Sequence, residues 1–287
     1  MNLSVPHTFH SGAKKENSIA NKNCLAVFNI PSNTMLTFVG LGLYDPGDIT
    51  LKGLEAIREA DVVYAEFYTS PAGARTIEKL EGAYGRRITI LEREELEERA
   101  ESVILELAKS KKVVLLSGGD PMIATTHVEL RLRAIDKGIE TRIVHAASIA
   151  SAAAGLSGLQ SYKFGKSATV SPPYKGVISR VPYETVRDNK ERGLHTLLYL
   201  DVGMSIADAL GLLDSVEREM GGDLLERALM VGIARAGSDD AVVKADYMRA
   251  LRSYEFGDPP HVLIVTGELH FMEREALIKL AHAPCSI

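Results

Sequence analysis

From Met35 onward, short runs of consecutive apolar residues alternate with stretches in which apolar residues recur every three or four positions. The runs predict buried strands and the longer period predicts amphipathic helices. Strands are expected at 35–40, 61–65, 87–91, 112–117 and 140–145. Helices are expected between them, at 51–59, 72–81, 92–109 and 125–137, the last closed by Gly138. The charged 92–109 helix would turn Leu96, Val103, Ile104 and Leu107 inward. Strands that alternate with helices in this way predict an α/β domain with a mostly parallel sheet.

The texture then changes. Residues 148–159 are mostly Ala, Ser and Gly, which permits close backbone packing. Residues 160–182 carry Gly165, Pro172, Pro173, Gly176 and Pro182, a loop-rich stretch suited to a crossover between domains. Strands are expected again at 195–200, 228–235, 241–245 and 261–266, with helices at 205–220, 246–253 and 272–281. The second half therefore reads as α/β with a more mixed sheet. Residues 1–34, rich in Asn, Ser, Lys and His and without a period, read as a flexible N-terminal extension. The expected division is 1–34, an N-terminal α/β domain at 35–147 and a C-terminal α/β domain at 148–287.

Composition narrows the classes. The chain has 287 residues, 46% hydrophobic and 25% charged, which is ordinary for a folded globular protein. A net charge of −5 argues against non-specific nucleic-acid binding, which needs clustered positive charge. No apolar run approaches the about 20 residues needed to span a bilayer. Cys24 and Cys285 stand near opposite ends, and the eight His residues lack metal-ligand spacing. These features predict a reducing, cytoplasmic setting, no structural metal and no membrane.

Two glycine motifs follow strands. Gly40-Leu-Gly-Leu-Tyr-Asp-Pro-Gly-Asp48 invites comparison with the dinucleotide fingerprint GxGxxG, and Glu66 falls about where a ribose-binding acid would stand. Asp45 occupies the third glycine position, so the fingerprint fails. Gly118-Gly119-Asp120-Pro121 ends the strand at 112–117 and leaves bare backbone facing the crevice where α/β sheets bind ligands. Asp120 is readable as a helix cap or as a contact for a cationic group. His127 and Arg131 share a helix face, Tyr162–Ser167 make a local positive patch, and Gly257-Asp-Pro-Pro-His261 delivers a histidine onto a buried strand. There is no GxSxG elbow, acid pair or metal cluster, which suits a reaction whose hard step is supplied by a cofactor.

Six blocks taken together carry a resemblance: 40–55, 118–134, 162–170, 192–201 (RGLHTLLYLD), 234–238 (ARAGS) and 256–265 (FGDPPHVLIV). In this order they resemble the diphthine synthase branch of the tetrapyrrole-methylase family, over roughly residues 35–287. The resemblance implies a two-domain α/β fold with a cofactor cleft between the domains, and a homodimer. It implies methyl transfer from S-adenosyl-L-methionine, leaving S-adenosyl-L-homocysteine, to the amino group of a 3-carboxy-3-aminopropyl-histidine on translation elongation factor 2. Cofactor contacts carried over by motif are Leu43, Asp120, Ile123, Ser148, Ile149, Leu200, Ala236 and His261. The resemblance assigns no catalytic residue. Gly118 stands where relatives often have Pro.

An alkylamine is mostly protonated at neutral pH and must lose a proton to attack. Partial desolvation, or a base such as His261 or a tyrosine, would release the lone pair, the sequence leaving open whether a base exists. Lys163, Lys166, Arg131 and Arg235 are candidate partners for the substrate carboxylate. Three other readings remain open: a methyltransferase for a porphyrinoid or ribosomal RNA, a Rossmann-type oxidoreductase, and a binding module without catalysis. Neither the number of methyl groups, three or four, nor the docking face follows from the sequence.

Overall fold

The computed structural model describes residues 34–67 and 77–287. Its first half contains β1 (Met35–Gly40), α1 (Leu51–Glu59), β2 (Val62–Glu66), α2 (Ile77–Tyr84), β3 (Thr89–Ile90) and α3 (Arg93–Glu97), then a π-helical turn at Glu101–Leu105. There follow α4 (Glu106–Ala108), β4 (Lys112–Ser117), α5 (His127–Asp136) and β5 (Thr141–Val144). The five strands form one sheet in the order β3-β2-β4-β1-β5, and every pairing is parallel. A parallel sheet covered on both faces needs continuous apolar strands, and β1 and β4 supply them. Leu36, Phe38 and Leu115 pack with Leu96, Ile104 and Leu130 on one face. Val39, Val114 and Leu116 pack with Ile57, Leu80 and Tyr84 on the other. The helices following β1 and β4 thus leave on opposite faces, which opens a crevice at the carboxyl ends of these neighbouring strands.

The second half runs α6 (Ile149–Ser157), β6 (Ala168–Val170), α7 (Val181–Lys190), β7 (Thr196–Leu200), α8 (Ile206–Met220) and α9 (Leu224–Arg227). It continues with β8 (Leu229–Ala234), β9 (Val242–Tyr247), α10 (Met248–Ser253), β10 (His261–Val265) and α11 (Phe271–Leu280). Its sheet has the order β6-β7-β10-β8-β9. Only β6 and β7 pair in parallel; the other neighbours are antiparallel. One face packs on α7, α8 and α10 through Val186, Leu210, Leu213 and Leu251. The other packs on α6 and α11 through Ala153 and Leu277.

Three expectations are corrected. The single helix at 92–109 is broken. Its buried positions Leu96, Ala100, Ile104 and Ala108 are spaced by four, which overshoots the 3.6-residue turn, and the π-helical turn takes up the excess. The crossover at 160–182 is not all loop. It contains β6 and the start of α7, where Pro182 occupies the first helical turn rather than a loop. The strand at 87–91 shrinks to the two residues of β3. The extension at 1–34, apart from Thr34, together with Cys24 and the first half of the 72–81 helix, lies outside the described residues.

A buried ionic cluster ties the second half together. Glu273, in the first turn of α11, accepts hydrogen bonds from His195 Nε2 at 2.9 Å and Lys163 Nζ at 2.7 Å. It also accepts from the N–H groups of Gln160 and His270, both at 2.9 Å. His195 Nδ1 accepts from Gly267 N–H at 2.9 Å, so the neutral ring carries its proton on Nε2. Burial favours this uncharged form and lowers the His195 pKa. Burial alone would raise the Glu273 carboxyl, but the hydrogen bonds from Lys163, Gln160, His270 and His195 outweigh it and hold the group at about 2 against an ordinary 4.5. The stabilisation linked to Glu273 is therefore whole above pH 4.5 and is lost as the pH falls toward 2. Glu273→Gln should cost about 3 kcal/mol at neutral pH, because it leaves Lys163 without its counter-charge. Urea unfolding across the acid range should show the difference between the two proteins closing as wild type loses this contribution.

Candidate active site

The loops leaving β1 and β4 bond to one another. Gly42 N–H donates to Gly119 O at 3.2 Å, and Gly119 N–H returns a bond to Gly42 O at 2.7 Å. Both residues take positive φ, +80° and +66°, which glycine adopts without strain. This bridge makes the floor of a cleft of about 350 Å³. The acids of the first motif hold the loop and not a ligand. Asp45 Oδ1 accepts from Gly47 N–H at 2.5 Å, and Asp48 Oδ2 accepts from Tyr44 N–H at 2.6 Å and Asp45 N–H at 3.2 Å. Glu66, the position considered for a ribose, is fully buried, 3.8 Å from His127 Nε2. His127 itself is buried, with Nδ1 donating to Pro121 O at 2.9 Å.

The second half supplies the opposite wall. Gly237 packs against Leu43 where the turn after β8 meets the first glycine loop. Ser148 caps α6 by accepting from Ala150 N–H at 3.2 Å, which sets Ser148 and Ile149 at the cleft. Arg235 bonds the carbonyls of Phe256 (2.7 Å) and Asp258 (2.9 Å) and the Asp240 carboxylate (2.8 Å), fixing the turn that carries His261. All eight residues expected at a cofactor, Leu43, Asp120, Ile123, Ser148, Ile149, Leu200, Ala236 and His261, line this one cleft.

Its electrostatics differ from the sequence expectation in three respects. His261 Nδ1 accepts from the N–H of Ile206, the first residue of α8, at 3.3 Å. The neutral ring therefore carries its proton on Nε2 and has no lone pair to offer as a base. Burial, then the Arg235 charge, lower its pKa and keep it neutral. Tyr199, the tyrosine of the cleft, has its phenol pushed up by burial, which keeps it protonated. Among the candidate cations, Lys163 is bound to Glu273, Arg131 donates to Thr141 Oγ1 at 3.1 Å, and Arg235 is engaged as above. These three and Lys166 lie off the cleft wall, which instead presents Arg93, 3.0 Å from Glu97 in an ion pair along α3.

Asp120 serves the loop and a neighbour at once. Oδ1 accepts from Met122 N–H at 3.0 Å, while Oδ2 accepts from Ala146 N–H at 3.2 Å and faces His145 Nδ1 at 2.8 Å. It thus holds a turn rather than capping α5. Sequence reasoning missed Arg93, Glu97, Thr169, Tyr199 and Asp201 among the lining residues. Tyr199 and Asp201 flank Leu200 within LLYLD and were within reach; Arg93 and Glu97 sat in a charged run with no distinguishing signal.

Residues 35–246 match the family model of the tetrapyrrole (corrin/porphyrin) methylases. With the two-sheet fold and the cleft between the sheets, this defines the class: the chain is a methyltransferase. It is 53% identical to the diphthine synthase of Methanosarcina acetivorans over 263 residues, 88% of this chain and 98% of that relative. It is 46% identical to the diphthine synthase of Haloquadratum walsbyi, over 88% of this chain and 97% of that one. A crystal structure of diphthine synthase matches with a TM-score of 0.81 at 47% identity, covering 88% of this chain and 98% of the other. The chain belongs to the diphthine synthase family.

A Cβ at Gly237 would lie 2.6 Å from Leu43 Cβ, on backbone at φ +92°. Gly237→Ala should therefore push Leu43 aside, cost about 1–3 kcal/mol of stability and weaken ligand binding in the cleft about tenfold or more. Gly211→Ala, within α8 where the nearest atom is an Arg252 side-chain nitrogen at 3.7 Å, should be neutral or stabilising. Thermal unfolding and calorimetric titration of both variants check the contrast.

Proposed function

We propose that the chain transfers methyl groups from S-adenosyl-L-methionine, successively, to the amino group of the 3-carboxy-3-aminopropyl-histidine of translation elongation factor 2, the diphthine-forming step of diphthamide biosynthesis. The observation that carries this reading is the convergence of the eight motif residues, drawn from both halves, on one cleft. The cleft suits the cofactor. Its volume of about 350 Å³ falls within the range of small-molecule sites. Its floor is bare glycine backbone, its walls include Leu43, Ile123, Ile149, Leu200 and Ile233, and Asp120, Ser148 and Asp201 offer acceptors for hydroxyl and ammonium groups. When bound, the cofactor supplies an activated methyl group on a sulfonium.

The chain's own contribution is then alignment and exclusion of water. The Gly42–Gly119 bridge and the Gly237–Leu43 contact fix the floor against the far wall, and His261, neutral and tied to α8 through the lone pair on Nδ1, has an N–H and no lone pair left on Nε2. A homodimer and a cytoplasmic location belong to the same reading. Val128, Leu132 and Ile135, exposed in sequence steps of four and three along α5, form an apolar stripe that supports self-association. No helix among the described residues is long and apolar enough to cross a membrane.

Calorimetry should show micromolar binding of S-adenosyl-L-homocysteine and none of NAD. Elongation factor 2 carrying the unmethylated arm should then gain methyl groups stepwise by intact mass, ending at three. Binding of NAD alone, or no transfer to elongation factor 2 at any protein concentration, would overturn the assignment.

A further inference from the structure

Methylation of an amine consumes a lone pair, and under the reading above the substrate nitrogen arrives with a proton on it. The histidine and the tyrosine of the cleft wall offer no lone pair for that proton. His261 has its proton on Nε2, and Tyr199 is a protonated phenol. A carboxylate is a weaker base than an imidazole, and those of the wall already hold partners: Asp120 accepts from two backbone N–H groups and a histidine, Asp201 Oδ1 from Val202 N–H at 2.8 Å, and Glu97 Oε1 from Arg93. His127 has its lone pair on Nε2, but the ring is 1% exposed and faces Glu66, out of reach of a substrate.

His145 differs from all of these. It follows the last residue of β5, and its Nδ1 meets Asp120 Oδ2 at 2.8 Å. An ionised carboxylate only accepts, so Nδ1 carries the proton and the lone pair of the neutral ring is on Nε2. The side chain is 69% exposed. His145 itself stands off the cleft wall and borders it through Asp120, which lines the cleft, so one carboxylate both faces the ligand site and fixes the tautomer of the ring beside it. Asp120 is also the only ion-pair partner of His145 among the described residues.

We propose that His145, oriented by Asp120, is the general base that removes the proton from the substrate amine. The inference rests on the methyltransferase reading above. His145 Nε2 takes the N–H proton of the ammonium, and Asp120 steadies the resulting imidazolium through Nδ1–H. The freed nitrogen pair forms the new C–N bond while the methyl carbon–sulfur pair returns to sulfur. The first two transfers leave a protonated amine that must be deprotonated again; the third gives a quaternary ammonium. A base used repeatedly must discharge its proton between transfers, and solvent access at His145 allows that, whereas burial at His127 does not.

Two measurements test this. In single-turnover methylation of elongation factor 2, His145→Ala and His145→Gln should lower the rate at neutral pH by about 100-fold or more. The deficit should shrink about tenfold per pH unit as the amine deprotonates unaided, and added imidazole should restore part of the rate to the alanine variant. Binding of S-adenosyl-L-homocysteine should stay within about twofold of wild type. A rate within about threefold of wild type, or a loss equal at every pH, overturns the proposal. Absence of transfer by wild type would instead defeat the methyltransferase reading. Independently of activity, nitrogen-15 NMR of the histidine rings should find His145 as the Nδ1–H tautomer, with that preference lost in Asp120→Asn. An Nε2–H tautomer in wild type overturns the proposal without any assay.

Discussion

The cleft depends on one pair of backbone hydrogen bonds, those exchanged by Gly42 and Gly119. In an open parallel sheet, the loops after neighbouring strands ordinarily turn away to their own helices. Here α1 and α5 lie on opposite faces of the sheet, so the loops would splay without a link between them. The bridge holds them together with no side chain in the way, and positive φ at both residues makes glycine the residue for each position. It leaves a strip of bare backbone for a ligand to approach. The second half then registers on this strip, because Gly237 lets Leu43 pack against the turn after β8. The two sheets are thereby referenced to the same short stretch, 40–43.

The second half holds its shape by a different device. Its mixed sheet has a short parallel edge, β6 on β7, and its crossover segment must return to that edge. Glu273 gathers the start of the crossover through Gln160 and Lys163, the start of β7 through His195, and the start of α11 through its own position and His270 N–H. A carboxylate with this many donors is satisfied while buried, which is the condition for an ion inside a protein to stabilise and not disrupt. The histidine that opens HTLLYLD is thus an internal strut. Its presence in a motif marks how the fold is fastened, not where the chemistry happens.

What was legible in the sequence follows from the range of the interactions. β1, α1 and β4 were read to the residue because strand runs and helical spacing are local. The 92–109 helix was misread because its four-residue apolar spacing differs little from helical spacing over one turn and accumulates only over several. α7 was missed because Pro182 and the glycines before it carry the same signal at a helix start as in a loop. The cleft residues were placed by family motifs rather than by pattern. The pairings that decide their chemistry join residues far apart in sequence: His195 with Glu273, His261 with Ile206, and His145 with Asp120. No spacing rule connects 145 to 120; the adjacency arises because β5 and β4 flank β1 and end at the same edge of the sheet.

The histidines show why that distinction matters for function. Residue type makes His127, His145, His195 and His261 equivalent, but the partner of Nδ1 separates them. At His195 and His261 a backbone N–H occupies Nδ1, so the proton is on Nε2 and the ring acts as a donor. At His127 a carbonyl, and at His145 a carboxylate, takes the Nδ1 proton and leaves the lone pair on Nε2. Burial then divides that second pair, since His127 is enclosed and His145 is open. His261, at the end of the DPPH block, is the more conspicuous residue in sequence, yet its tautomer suits it to bind and not to accept a proton. The carboxylate that fixes His145 is Asp120, the residue whose neighbouring glycine builds the floor. The backbone bridge that creates the ligand site therefore also determines where a proton acceptor can stand beside it.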